Sequence, residues 1–230
     1  MKGKNRAHCI FHGDIIQKKV ANRRFHEMTG ITGDTALLAE TKPLEEVAAQ
    51  HPFGEYARPI RCVELRRDEG GPCIVLDTAD KVILRLSGRE GASQNFRYIL
   101  HHEFGHVYDR MDPAFQYTLE ARRSLDDDRN KRVFVTDLWN TYIDGRLNRL
   151  GLFQFDQPPM TVHCFALGKI LTIDSVESYI EELACRHFGM GAPLERSREL
   201  LERVWNSPHG TLTYPFFSAC YEEYCKGASR

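Results

Sequence analysis

The spacing of apolar residues along this chain changes character twice. Over residues 14–28, Ile15, Ile16, Val20, Phe25 and Met28 recur loosely at helical spacing, and Gly30 follows as a stop. Pro43 suits the first turn of a short helix over 44–50, where its missing N–H is not needed. Residues 52–59 read as a loop. The next three apolar runs, 60–65, 73–77 and 82–86, are short and rich in β-branched and aliphatic residues. Gly70-Gly71-Pro72 and Thr78-Ala79-Asp80 separate them, so they predict a small sheet. After Ser87-Gly88 the period returns to three or four. Phe96, Leu100, Phe104, Val107 and Met111 mark the apolar face of an amphipathic helix with Ser93 as N-cap. It should stop near Asp112-Pro113, because a residue before proline resists the α conformation.

The mixed-charge stretch 121–132, ARRSLDDDRNKR, predicts a solvated turn or helix end. Thr136 can cap a helix running to Leu150, with Leu138, Trp139, Tyr142, Ile143, Leu147 and Leu150 on its apolar face and Gly151 as the exit. The C-terminal third reads as helical throughout: 174–188, opened by Asp174 and Glu177 as a capping box, then 193–205 and 215–224. With no internal repeat or low-complexity linker, a single domain is expected over residues 1–230. Its parts are an N-terminal helical region 1–59, a sheet and helix over 60–112, and a helical part 113–230.

Composition narrows the function classes. Among 230 residues, 31 Lys and Arg balance 32 Asp and Glu, and a net charge of -1 gives no global field that would draw in nucleic acid or an anionic membrane. The basic N-terminus lacks the apolar run of a secretory signal, and no stretch approaches a membrane span, so the expected location is the cytoplasm. The seven cysteines are odd in number and scattered without Cys-x-x-Cys pairs, which predicts reduced thiols.

Chemistry enters with His102-Glu103-Phe104-Gly105-His106, placed inside the predicted helix. Histidines four apart share one helix face about a turn from each other, so both imidazoles can reach one tetrahedral Zn²⁺. Glu103 is rotated off the ligand direction and suits a general base acting on a metal-bound water. The expectation is one zinc ion on His102 and His106, with Glu103 catalytic.

A catalytic zinc usually takes a third protein ligand. Six residues past His106, the metzincin spacing, lies Asp112, although that pattern wants glycine at position 109, where this chain has Asp. A stronger candidate is Asp144, which shares a polar stripe with Asn140 and Asn148 on the helix 138–150. Gly145 beside it suggests that another backbone passes close by, since glycine inside a helix costs about 1 kcal/mol against alanine. Glu177, Glu181 and Glu182 on the following helix are the glutamate alternatives, of which Glu177 is already explained as a cap.

The pair HHEFGHVYD and DLWNTYIDGRLNRL resembles small zincin-like metallopeptidases of the gluzincin type, in which a His-Glu-x-x-His helix is followed by a Trp-Asn-x-x-x-Asp helix. The likeness covers roughly residues 74–150, and aspartate stands where gluzincins usually place glutamate. It implies an α+β, zincin-like fold: a small N-terminal β-sheet packed on the active-site helix, with a mainly helical C-terminal part. It also implies an edge strand, for which 82–86 is the candidate, that pairs with an extended peptide or protein substrate. Asp109 would then hold a ligand imidazole from behind, with Asn140 in the same outer layer. Tyr142, His163, Tyr179, His187 and Tyr214 are all eligible as oxyanion donors.

The function expected is hydrolysis of peptide bonds by a zinc metallopeptidase. The alternative is a protein-binding module whose structural or vestigial zinc is closed by a fourth protein ligand, for which Cys164, Cys185 and His163 are candidates.

Overall fold

In the computed structural model, residues 30–33, 62–67, 73–76, 81–86, 96–152, 160–164, 169–173 and 175–226 are described, with side chains over 97–152 and 175–225. The predicted helices 14–28 and 44–50, the loop 52–59 and the Ser93 cap lie outside these residues. The chain divides into two units, Met1–Asp112 and Pro113–Arg230.

In the first unit the backbone describes four strands, β1 (Gly30–Gly33), β2 (Cys62–Arg67), β3 (Cys73–Leu76) and β4 (Lys81–Leu86), in the order β1-β2-β4-β3. β1 and β4 run parallel to β2, with Val63 opposite Ile31 and Val82, and β3 pairs antiparallel with β4. The strand offered as an edge for substrate, 82–86, is thus interior, and the edges are β1 and β3. Helix α1 (Phe96–Met111) follows and ends where Pro113 forbids its continuation, with the amide of Asp112 still bonded to the Tyr108 carbonyl at 2.9 Å.

The second unit holds α2 (Leu119–Arg123), α3 (Arg129–Arg149), a hairpin of β5 (Met160–Cys164) and β6 (Lys169–Ile173), then α4 (Val176–Gly189), α5 (Leu194–Asn206) and α6 (Tyr214–Tyr221), closed by a π turn over Glu222–Lys226. α3 begins seven residues before the predicted Thr136 cap. Asp128 caps it by accepting the Lys131 amide at 2.9 Å, so only the last four residues of the charged stretch, Arg129 to Arg132, enter the helix, and the rest forms the end of α2 and the turn between the two helices. α4 is capped one residue later than expected, by a box of Ser175 and Ser178 rather than Asp174 and Glu177. The β5–β6 hairpin corrects the expectation of an unbroken helical C-terminal third.

The fold class is corrected as well. Among the residues with described side chains, 97–152 and 175–225, every regular element is helical. A zincin-like α+β body organised on a small N-terminal sheet is not what the described core shows. It is built helix on helix, with Phe115 as an aromatic hub in the second unit. The ring centroids of Trp139, Tyr214, Phe217 and Tyr142 lie 5.3 to 6.4 Å from its own.

Crossing of α3 and α5 depends on Gly145. A Cβ there would sit 2.8 Å from the carbonyl carbon of Trp205 and 2.9 Å from its Cα, with the carbonyl oxygen closer still. The close backbone approach expected beside Asp144 is therefore that of α5. Arg149 ties down the same helix end, donating to the carbonyls of Trp205 and Ser207, the latter at 2.6 Å. α3 closes on Gly151 at φ 70°, with the amides of Gly151 and Leu152 returning to the carbonyls of Asn148 and Leu147 at 2.9 Å each. Among the described residues no helix is long and apolar enough to cross a membrane.

Candidate metal centre

Helix α1 is buried on all its faces from Ile99 to Asp109. Five polar side chains are enclosed with it: His101, His102, Glu103, His106 and Asp109. Polar side chains tolerate burial only with partners, so such a concentration on three turns of one helix calls for a functional or structural reason.

The two motif histidines converge. Nε2 of His102 and Nε2 of His106 lie 3.2 Å apart, with the rings edge to face at 4.9 Å between centroids. Two nitrogens held about 2.0–2.1 Å from one tetrahedral ion stand about 3.3–3.4 Å apart, so the pair fits a shared Zn²⁺. Tyr98, one turn earlier on the same face, brings its hydroxyl to 3.4 Å from Nδ1 of His102. His101 points elsewhere on the helix. Burial, followed by the charge of Arg97, pulls its imidazole down to about 4, which leaves the ring neutral near pH 7. Burial also pushes the Tyr108 phenol well above its usual range.

Asp109 is buried and Asp112 lies half-buried just past the end of α1. In the second unit, Asp144 is buried on α3 and its Oδ2 accepts the Tyr179 hydroxyl of α4 at 3.0 Å, while Asn140 is half-buried one turn earlier. The glutamate alternatives are placed differently. Glu181 accepts from Nε and Nη2 of Arg198 at 2.6 and 2.7 Å, which holds its carboxyl below the usual range, and Glu182 is exposed. Glu177 is exposed in the first turn of α4. Among the described residues no three His, Cys, Asp or Glu side chains form a metal-binding group.

Most of the proposed oxyanion donors are engaged elsewhere. The Tyr142 hydroxyl donates to the Pro208 carbonyl at 2.9 Å, Tyr179 donates to Asp144, and Tyr214 packs against Phe115, Tyr117 and Trp139. His187 is fully buried with Nδ1 2.8 Å from Ser197 Oγ and Nε2 3.5 Å from Asp137 Oδ2. Arg186 contacts both oxygens of that aspartate at 3.0 and 3.1 Å. His163 and Cys164 lie on β5, whose side chains are outside the description, and Cys185 is exposed with Sγ 3.5 Å from Glu181.

Two features were missed from the sequence. Tyr98 lies four residues before His102, the same helical spacing that marked the histidine pair, so its position was readable. The Asp137, Arg186, His187 and Ser197 cluster joins three helices, and no local spacing announces it.

No protein-family model, no curated protein and no solved structure matches this chain.

Proposed function

We propose that the chain is a zinc-dependent peptidase. The observation that carries this reading is the 3.2 Å approach of the His102 and His106 Nε2 atoms, with the buried Glu103 between them in sequence. The two imidazoles would hold the ion; Asp144 remains the third ligand expected from the sequence pattern alone, since among the described residues no third His, Cys, Asp or Glu joins the pair. When bound, zinc supplies Lewis-acid polarisation of a scissile carbonyl and makes water more acidic. Glu103 takes the proton from the attacking water onto its carboxylate and returns it to the leaving amine nitrogen.

Glu103→Gln keeps the size of the side chain and removes the base. Zinc content measured by mass spectrometry should stay at the wild-type level while peptide hydrolysis drops by about 10²–10⁴-fold. Hydrolysis persisting in that variant sinks the base assignment. Asp144→Asn retains an oxygen that can accept from Tyr179 but lowers ligand strength, so zinc content should fall. An unchanged content moves the third ligand to Asp112 or Glu182, or to Glu181 freed from Arg198.

Burial of the histidine pair favours a second reading, a closed structural zinc in a protein-binding module. Cobalt substitution separates the two. A spectrum that responds to small anions or hydroxamates signals an exchangeable position and the enzyme, whereas an inert four-coordinate spectrum signals the module.

A further inference from the structure

We propose that the Tyr98 hydroxyl fixes the tautomer of His102, accepting its Nδ1–H so that Nε2 presents a lone pair toward the position shared with His106. The inference rests on the metal reading above and adds a positioning residue to it. Tyr98, His102 and His106 stand at successive four-residue steps, so α1 stacks them along one face. The ordering of atoms on that face is directional: Tyr98 Oη lies 3.4 Å from Nδ1 of His102, and the opposite ring nitrogen lies 3.2 Å from His106. The phenol and imidazole meet edge to face, at 5.7 Å between centroids and 63° between planes.

A neutral imidazole carries one proton. If it sits on Nε2, His102 can only donate along the pair and cannot ligate an ion there. If it sits on Nδ1, the phenol oxygen at 3.4 Å can accept it, and Nε2 is left to ligate. A partner that stabilises the second arrangement strengthens metal binding without touching the metal. The Tyr98 contact is at the long end of the hydrogen-bond range, so its effect is through tautomer choice and ring orientation more than through bond energy.

The test uses full-length wild type and Tyr98→Phe, stripped with chelator and titrated with zinc against a chromophoric competitor. The Phe variant keeps the ring and loses the acceptor. Its zinc Kd should rise by about 10–100-fold. In nitrogen-15 spectra of the zinc-loaded wild type, the His102 Nδ1 proton should exchange slowly and show a nuclear Overhauser contact with the Tyr98 ring; in Tyr98→Phe it should exchange fast. An unaltered Kd with unaltered exchange overturns the proposal and leaves Tyr98 as packing. Fast exchange in the wild type overturns it too, whatever the variant does. A wild type that binds no zinc at all overturns the metal reading itself, and is distinguished from the other two outcomes by the first titration.

Discussion

At the scale of single residues, the buried acid Asp137 shows how the second unit accommodates charge. Its carboxylate faces the guanidinium of Arg186 at 3.0 and 3.1 Å and lies 3.5 Å from the His187 ring, which in turn reaches Ser197 at 2.8 Å. The carboxylate is almost fully enclosed and Arg186 nearly so, with side-chain exposures of 1% and 10%. Charges in such a place cost several kcal/mol to desolvate, and each tolerates burial because the other is present. Asp137→Ala removes one partner and leaves Arg186 and His187 facing an apolar gap. Urea denaturation followed by circular dichroism should report a loss of about 3–5 kcal/mol. The exposed Arg122 to Asp126 pair, at 2.7 Å, provides the contrast. Breaking it should cost under about 1 kcal/mol because water replaces the contact. A small effect at Asp137 would mean that the cluster relaxes to admit water.

At the scale of elements, the α3 and α5 crossing sets tighter limits than any side chain. Gly145→Ala gains about 1 kcal/mol of helix propensity. Against that, the new methyl falls inside the backbone of Trp205, and a backbone cannot rotate aside as a side chain can. Overpacking of this kind costs about 1–3 kcal/mol where side chains can adjust, and more here. A net destabilisation of at least about 2 kcal/mol is expected; a stabilised variant would show that the helices part easily. This position was legible from the sequence, because a glycine inside an apolar helical pattern needs a reason. The position where α3 starts was less so. Asp128 and Thr136 both have N-cap chemistry, and the intervening charged residues obscure the periodicity. The hairpin over 160–173 was missed. Burial of α1 on every side was equally hidden, since enclosure depends on what the rest of the chain supplies. What the sequence pattern did disclose at the site is the four-residue step, which needs only helix geometry. The partners of Asp144 and of His187 come from other helices, ten to fifty residues away, and local spacing carries no record of them.

At the scale of the whole molecule, the division at Asp112 and Pro113 has an energetic counterpart in the second unit. That unit carries its own aromatic core around Phe115, with Phe134, Leu138, Leu147, Leu183, Leu200, Val204 and Phe217 among its buried residues. Its helices are also locally terminated: Thr118, Asp128, Ser175 and Thr213 accept backbone amides at four N-termini, and Gly151 closes α3. Caps of this type contribute about 0.5–2 kcal/mol each and act within the helix they terminate. The ion pair between Arg186 and Asp137 and the pair between Lys131 and Glu222, at 2.8 Å, also have both members inside the unit. A fragment of this size, with its own aromatic core and these ion pairs inside it, lies in the range where domains fold alone. Fragment 113–230 should therefore express as a helical protein and unfold in one cooperative urea transition. Asp137→Ala and Gly145→Ala should shift that transition by the same amounts as in the full chain, because both residues act through partners the fragment retains. A fragment that is helical but melts without cooperativity would show that the core around Phe115 is completed by residues before 113, and the two substitutions would then lose their effect in the fragment while keeping it in the whole chain.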